Sequence, residues 1–140
     1  RLNDYATASK MLRLSEENDV DMLNVVWHGH YVRYLEIARC VLLDKIEYNY
    51  DHMRESGYAW PVIDIHIRYP GPARFGDVIT VTATLTEWVN SLKMDYEIHC
   101  KASGKRITRA STNMVAVDIA SQTMCFESPQ VLLDKVEPHL

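Results

Sequence analysis

The stretch NDVDMLNVVWHGHYVRYLEIAR, residues 18–39, decides how this chain is read. It opens on two carboxylates, Asp19 and Asp21, crosses an apolar run and reaches Trp27-His28-Gly29-His30-Tyr31. From there Tyr31, Tyr34, Leu35, Ala38, Leu42 and Ile46 fall on one helical stripe. Val32, Ile37, Val41 and Leu43 widen it until most of the surface is apolar, the mark of a buried helix. The spacing predicts a long central helix beginning at about His28 or Gly29. It is expected to break near Tyr48–Tyr50 and to stop before Gly57.

Around this helix the chain alternates. Residues 10–15, KMLRLS, read as a short strand. Residues 59–69 and 78–88 are rich in β-branched residues, and 69–77, YPGPARFGD, form a loop by their Pro and Gly content. Residues 92–102 set Leu92, Met94, Tyr96, Ile98 and Cys100 against Lys93, Asp95, Glu97, His99 and Lys101, one buried face and one wet face. Ser103-Gly104-Lys105 is a turn, and 106–119 return as a fourth strand. Short connections predict a meander of these four strands. Ser128, as N-cap, and Pro129, in the first turn, open a final helix. The expected architecture is α+β, a long central helix wrapped by a curved antiparallel sheet over residues 1–140 as one domain. Such a sheet covers the helix on one side and leaves edges exposed, so a homo-oligomer is expected.

A helix starting at His28 presents its first N–H groups, without intrahelical acceptors, at the positive end of the macrodipole. That arrangement suits an oxygen that gains negative charge, such as a carbonyl under attack. Gly29 has no side chain and allows close approach to the backbone. Asp21, ionised at neutral pH, can attack the carbonyl or deprotonate a water. By itself the residue reads equally as the cap of a local turn.

Composition narrows the classes. The net charge of −4 gives no electrostatic case for nucleic acid as main partner, although Lys101, Lys105, Arg106 and Arg109 could hold a small anion. No apolar run has the length of a membrane span, and no signal peptide is read. The three cysteines, Cys40, Cys100 and Cys125, are odd in number, far apart and free of any CxxC pair, which points to reduced thiols and a cytoplasmic setting. His28 and His30 do not share a helix face, and no third metal ligand accompanies them. Asp19-Val20-Asp21 fails as a calcium loop, with Leu23, Asn24 and His30 at the positions that matter. Cys40, Tyr31, Tyr34 and Trp27 read first as packing groups, with Trp27 and Tyr31 also candidates to line a pocket. His66 and His99 read as surface or pocket-lining residues, and Glu36 and Arg39 as solvated or interface charges.

DVDMLNVVWHGHYVRYLEIAR closely resembles the active-site segment of hotdog-fold thioesterases of the 4-hydroxybenzoyl-CoA thioesterase type, including their short-chain acyl-CoA branch. The family pattern falls on Asp21, Asn24, Val25-Val26, Trp27, His28 and Tyr31. GYAWPVIDIHIRYPGPARFGDVITVTATLTEW resembles the strands that follow, with Tyr69, Pro72 and Gly76-Asp77 in place. The resemblance covers roughly residues 10–119. Asn24 stands where Gly is usual, His30 where Asn is frequent, and Val89-Asn90 where some relatives carry two arginines for the CoA phosphates.

The resemblance implies a hotdog fold and hydrolysis of an acyl thioester, on CoA or an acyl-carrier protein, with no cofactor and no metal. It makes Asp21 the catalytic carboxylate and His28 the residue whose backbone N–H polarises the carbonyl. Asn24, Trp27, Gly29 and Tyr31 are then substrate-binding residues. The site is expected between the subunits of a homodimer or homotetramer. A hotdog dehydratase of 3-hydroxyacyl thioesters and a non-catalytic acyl-thioester-binding protein are the competing readings.

Overall fold

The computed structural model describes residues 7–13, 28–68 and 77–140. The long helix, α1, spans His28–Lys45, and it starts at His28, where the spacing predicts. The stripe residues Tyr31, Tyr34, Leu35, Ala38, Leu42, Leu43 and Ile46 are all buried. The helix ends in a Schellman motif: Tyr48 N–H donates to the Leu43 carbonyl and Glu47 N–H to the Asp44 carbonyl. Glu47 takes the left-handed conformation there, φ 57°, at a position where glycine is usual. Leu43 and Tyr48, the two ends of the motif, are both buried and close its apolar contact. The break, expected near Tyr48–Tyr50, falls at residues 46–49.

A second helix, α2, covers Tyr50–Glu55. Asn49 caps it, its side chain accepting from His52 N–H at 3.0 Å while His52 Nδ1 accepts from Asn49 N–H at 3.4 Å. Gly57, at φ 93°, lies just beyond the C-cap Ser56.

Eight strands lie among the described residues: β1 (Thr7–Arg13), β2 (Tyr58–Ala59), β3 (Val62–Arg68), β4 (Val78–Glu87), β5 (Leu92–Cys100), β6 (Arg106–Met114), β7 (Val117–Asp118) and β8 (Thr123–Met124). The main sheet has the order β1-β4-β5-β6-β3, antiparallel throughout, and β2-β7-β8 form a small second sheet. On β5, Leu92, Met94, Tyr96 and Ile98 are buried and Lys93, Asp95 and Glu97 exposed, as the alternation requires. Ile79, Val81, Ala83 and Leu85 do the same on β4. These rows pack against α1, which lies over β1 and β4. Register shifts between Val62 and Asp64, Leu85 and Glu87, and Ile98 and His99 bend the strands.

Three expectations need correction. The four strands are not one meander: only β4-β5-β6 are sequential neighbours, and β3 crosses to pair with β6 at the far edge. Residues 69–77 can reach about 30 Å when extended, more than the roughly 14 Å of three strand spacings, so the loop permits the crossing. The last helix, α3, is Gln130–Val136 with Pro129 at the N-cap, not Ser128. Ser128 instead donates its backbone N–H to the Val89 carbonyl, and its buried hydroxyl has no partner among the described residues. The segment 106–119 divides into β6 and β7, because the backbone leaves the main sheet after Met114 to join β2.

Candidate functional site

Asp21, Asn24 and Trp27 lie outside the described residues, as does most of the loop at 69–77. Of the expected site, the backbone of His28 and Gly29 and the whole of Tyr31 are described. His28 and Gly29 form the first turn of α1, and no acidic side chain occupies that turn. Its positive end is therefore not neutralised from within the helix. Tyr31 is 2 % exposed and meets Tyr34 edge to face, ring centroids 5.8 Å apart at 83°. Its aromatic bulk belongs to the core that holds the first turn of α1 against the sheet.

The structure also brings together a polar cluster that sequence reasoning missed. Arg39 is 7 % exposed rather than solvated. Its Nε donates to the Tyr50 hydroxyl at 3.0 Å, and its Nη1 reaches the Tyr96 hydroxyl at 3.5 Å. Tyr96 Oη lies 2.7 Å from Thr112 Oγ1, and both residues are buried. Burial opposes the charge on Arg39, but the Tyr96 and Tyr50 oxygens outweigh it and its pKa is raised. Burial lifts the Tyr96 phenol above its ordinary range, against the pull of Arg39 and of the Thr112 bond. The signal was legible in part. Arg39 lies four residues after Leu35 and three before Leu42, on the same stripe, and Tyr96 belongs to the buried row of β5.

The remaining candidates sit elsewhere. His66 Nε2 lies 3.1 Å from Asp64 Oδ2, and both are exposed on β3. With Asp95, Glu97, Arg109 and Ser111, His66 lines a groove on the outer face of the sheet. His99 lies 3.7 Å from Glu97, which also accepts from Arg106. The three cysteines are free and half-buried. Burial raises the pKa of Cys40, whereas hydrogen bonds from the Ser103 backbone and side chain lower that of Cys100. No group of three metal-ligating side chains converges among the described residues, and none of their helices is long and apolar enough to cross a membrane.

Comparison with known proteins bears on this arrangement. Residues 16–136 match the family described as the thioesterase-like superfamily. The chain is 27% identical over 101 residues to "Putative acyl-CoA thioesterase YneP" of Bacillus subtilis, covering 71% of this chain and 72% of that protein. Among solved structures, a 1,4-dihydroxy-2-naphthoyl-CoA thioesterase from Synechocystis superposes with a TM-score of 0.81 at 22% identity, over 93% of this chain and 95% of its own. A Thermus thermophilus protein, TT1821, reaches 0.83 at 22% identity, over 95% and 99%. At these identities the structural likeness speaks for the fold, which is the α+β hotdog arrangement of one long helix on a curved antiparallel sheet.

Proposed function

The chain belongs to the thioesterase-like superfamily, and from that premise we propose that it hydrolyses an acyl-CoA thioester to free acid and thiol. The carrying observation is the coincidence of two readings at one point. The helix of 18 residues opens at His28, and the family match includes that opening together with Asp21. In this reading the thioester carbonyl sits on the first free amides of α1, with His28 N–H as the donor. Developing negative charge on the carbonyl oxygen is stabilised there by oriented N–H groups and the helix dipole. Gly29 keeps the approach open, and Asn24, Trp27 and Tyr31 are proposed to bind the substrate.

Asp21 supplies the attack. As nucleophile it forms a mixed anhydride and expels the thiolate, and water then opens the anhydride. As general base it takes a proton from the water that attacks the carbonyl, and the thiolate leaves from the tetrahedral intermediate. Neither route draws on a metal or a redox cofactor. Label appearing in the Asp21 carboxylate after a single turnover in heavy-oxygen water identifies the anhydride route, because only that route can leave it there. The relative named as an acyl-CoA thioesterase supports CoA as the carrier. Thiol release measured over acyl-CoA chain lengths, with the same acyl groups on a carrier protein, tests the proposal. Enoyl product from a 3-hydroxyacyl thioester without free thiol would instead identify a dehydratase.

The site is proposed to be completed in a homodimer or homotetramer. Edge strand β3 supports this: Val62 and Ile63 are exposed on a strand whose outer edge has no partner among the described residues.

A further inference from the structure

We propose that Arg39 and Tyr50 form a binding site for a carboxylate at the far end of the acyl group, which makes ω-carboxyacyl thioesters the preferred substrates. The substrate class rests on the thioesterase reading; the anion site rests on geometry alone. A guanidinium does not give up its proton, so burying one requires compensation. Among the described residues Arg39 has only neutral oxygens as partners, the Tyr50 and Tyr96 hydroxyls. No carboxylate among the described residues lies within ion-pair distance of it. Two of its five N–H groups are engaged, and none of its nitrogens is both fully buried and unbonded. Nη2, which has no bond among the described residues, therefore keeps some surface, and its two N–H groups are the donors offered to an approaching anion.

Proton direction adds a second donor. Tyr50 Oη accepts from Arg39 Nε, so its own hydrogen is free, and no acceptor for it lies among the described residues. Tyr50 is 41 % exposed, which opens this donor to solvent. Tyr96, by contrast, accepts from Arg39 and has Thr112 at 2.7 Å for its hydrogen. It fixes the cation from behind and leaves Tyr50 and the free guanidinium N–H groups as the recognising pair.

The neighbouring surface fits an acyl chain. On the helix-facing side of the sheet Ile65 pairs with Thr112, and Ile67 with Ala110, which in turn pairs with Tyr96. Directly opposed residues share a face, so Ile65 and Ile67 lie beside the Tyr96–Thr112 pair. Ile65 is 41 % exposed. An apolar row on the same face as Tyr96, the residue that holds the cation, suits a methylene chain ending in a carboxylate.

The test uses two non-hydrolysable thioethers of matched length, S-(9-carboxynonyl)-CoA and S-decyl-CoA, long enough together with the Arg39 side chain to span the roughly 16 Å of α1 from His28 to Arg39, with binding to the full chain measured by calorimetry. The carboxylate ligand is expected to bind about tenfold or more tighter, as charge-assisted hydrogen bonds allow. Arg39→Gln should abolish the preference. Because that variant removes a buried group and can fail to fold, Tyr50→Phe at a half-exposed position is the second arm, and it should cut the preference several-fold. Equal affinities for the two thioethers in the wild type overturn the inference. So does an unchanged preference in folded Arg39→Gln that loses self-association, which assigns the guanidinium to a subunit contact. Thioether preference without thiol release from any thioester would sink the hydrolase reading and leave the anion site standing. Thiol release without preference would do the reverse.

Discussion

Trp60 Nε1 donates to the Tyr48 hydroxyl at 3.2 Å, and the two rings meet edge to face at 87° with centroids 6.2 Å apart. The direction of this bond orders a chain of others. Indole can only donate, so the Tyr48 hydrogen is left for Ser56 Oγ at 2.9 Å, and Ser56 donates onward to the Met53 carbonyl at 2.6 Å. Each hydroxyl accepts once and donates once. The relay ties the break after α1 to the end of α2 and to the segment entering β3, and so anchors the far end of the helix whose opening is the proposed site. Tyr48→Phe keeps the ring and strands the buried indole N–H. We expect a loss of about 1–3 kcal/mol, read from the urea midpoint. An unchanged midpoint would mean that the relay contributes nothing net.

Asp21→Asn keeps side-chain size and removes the carboxylate. The proposed role predicts a wild-type circular dichroism spectrum and a fall in turnover on the order of a hundredfold or more. His28→Ala should cost less, because the backbone donor remains. Turnover near wild type in the Asn variant would remove Asp21 from the mechanism.

Tyr96 predicts a pH dependence. Its folded-state pKa is raised above the unfolded value of about 10, so the neutral phenol is the form that folding favours. The contribution is complete below about pH 10 and is lost as pH rises through the folded value. Denaturant midpoints measured from neutral to alkaline pH should therefore hold steady and then fall, and Tyr96→Phe should flatten that fall. The same variant should be less stable at neutral pH by about 1–3 kcal/mol, since it leaves Arg39 and Thr112 short of a partner. A Phe variant with an unaltered alkaline decline would assign the decline to other groups.

The thiols should separate by reactivity. Hydrogen bonding at the Ser103 turn lowers the pKa of Cys100, and burial raises that of Cys40. The thiolate is the reactive form. Alkylation near neutral pH, mapped by mass spectrometry, should label Cys100 before Cys40, and Ser103→Ala should slow it. The opposite order would contradict the turn geometry.

Glu47 offers a stability gain. A non-glycine residue in the left-handed region costs about 1–2 kcal/mol, partly offset by the greater unfolded-state entropy of glycine. Glu47→Gly should raise stability by about 0.5–1 kcal/mol, visible as a shift in thermal midpoint. A decrease would show that the Glu47 side chain makes a compensating contact.

Local pattern by itself determined the elements. The stripe from Tyr31 to Ile46 announces a buried helix, and the alternation from Leu92 to Cys100 a half-buried strand, because side-chain periods of 3.6 and 2 follow from backbone geometry alone. The left-handed stop at Glu47 was less legible, since glutamate carries no turn signal. Strand order was not in the pattern: a crossing of β3 to the far edge and a return beside β4 require the same residues in the same conformations. Only competition among pairings across the whole sheet chooses between them. The burial of Arg39 was likewise decided in three dimensions. A charged residue on an apolar stripe is solvated or enclosed according to what packs above it, and here Tyr50 and Tyr96 arrive from elements 11 and 57 residues away in the chain.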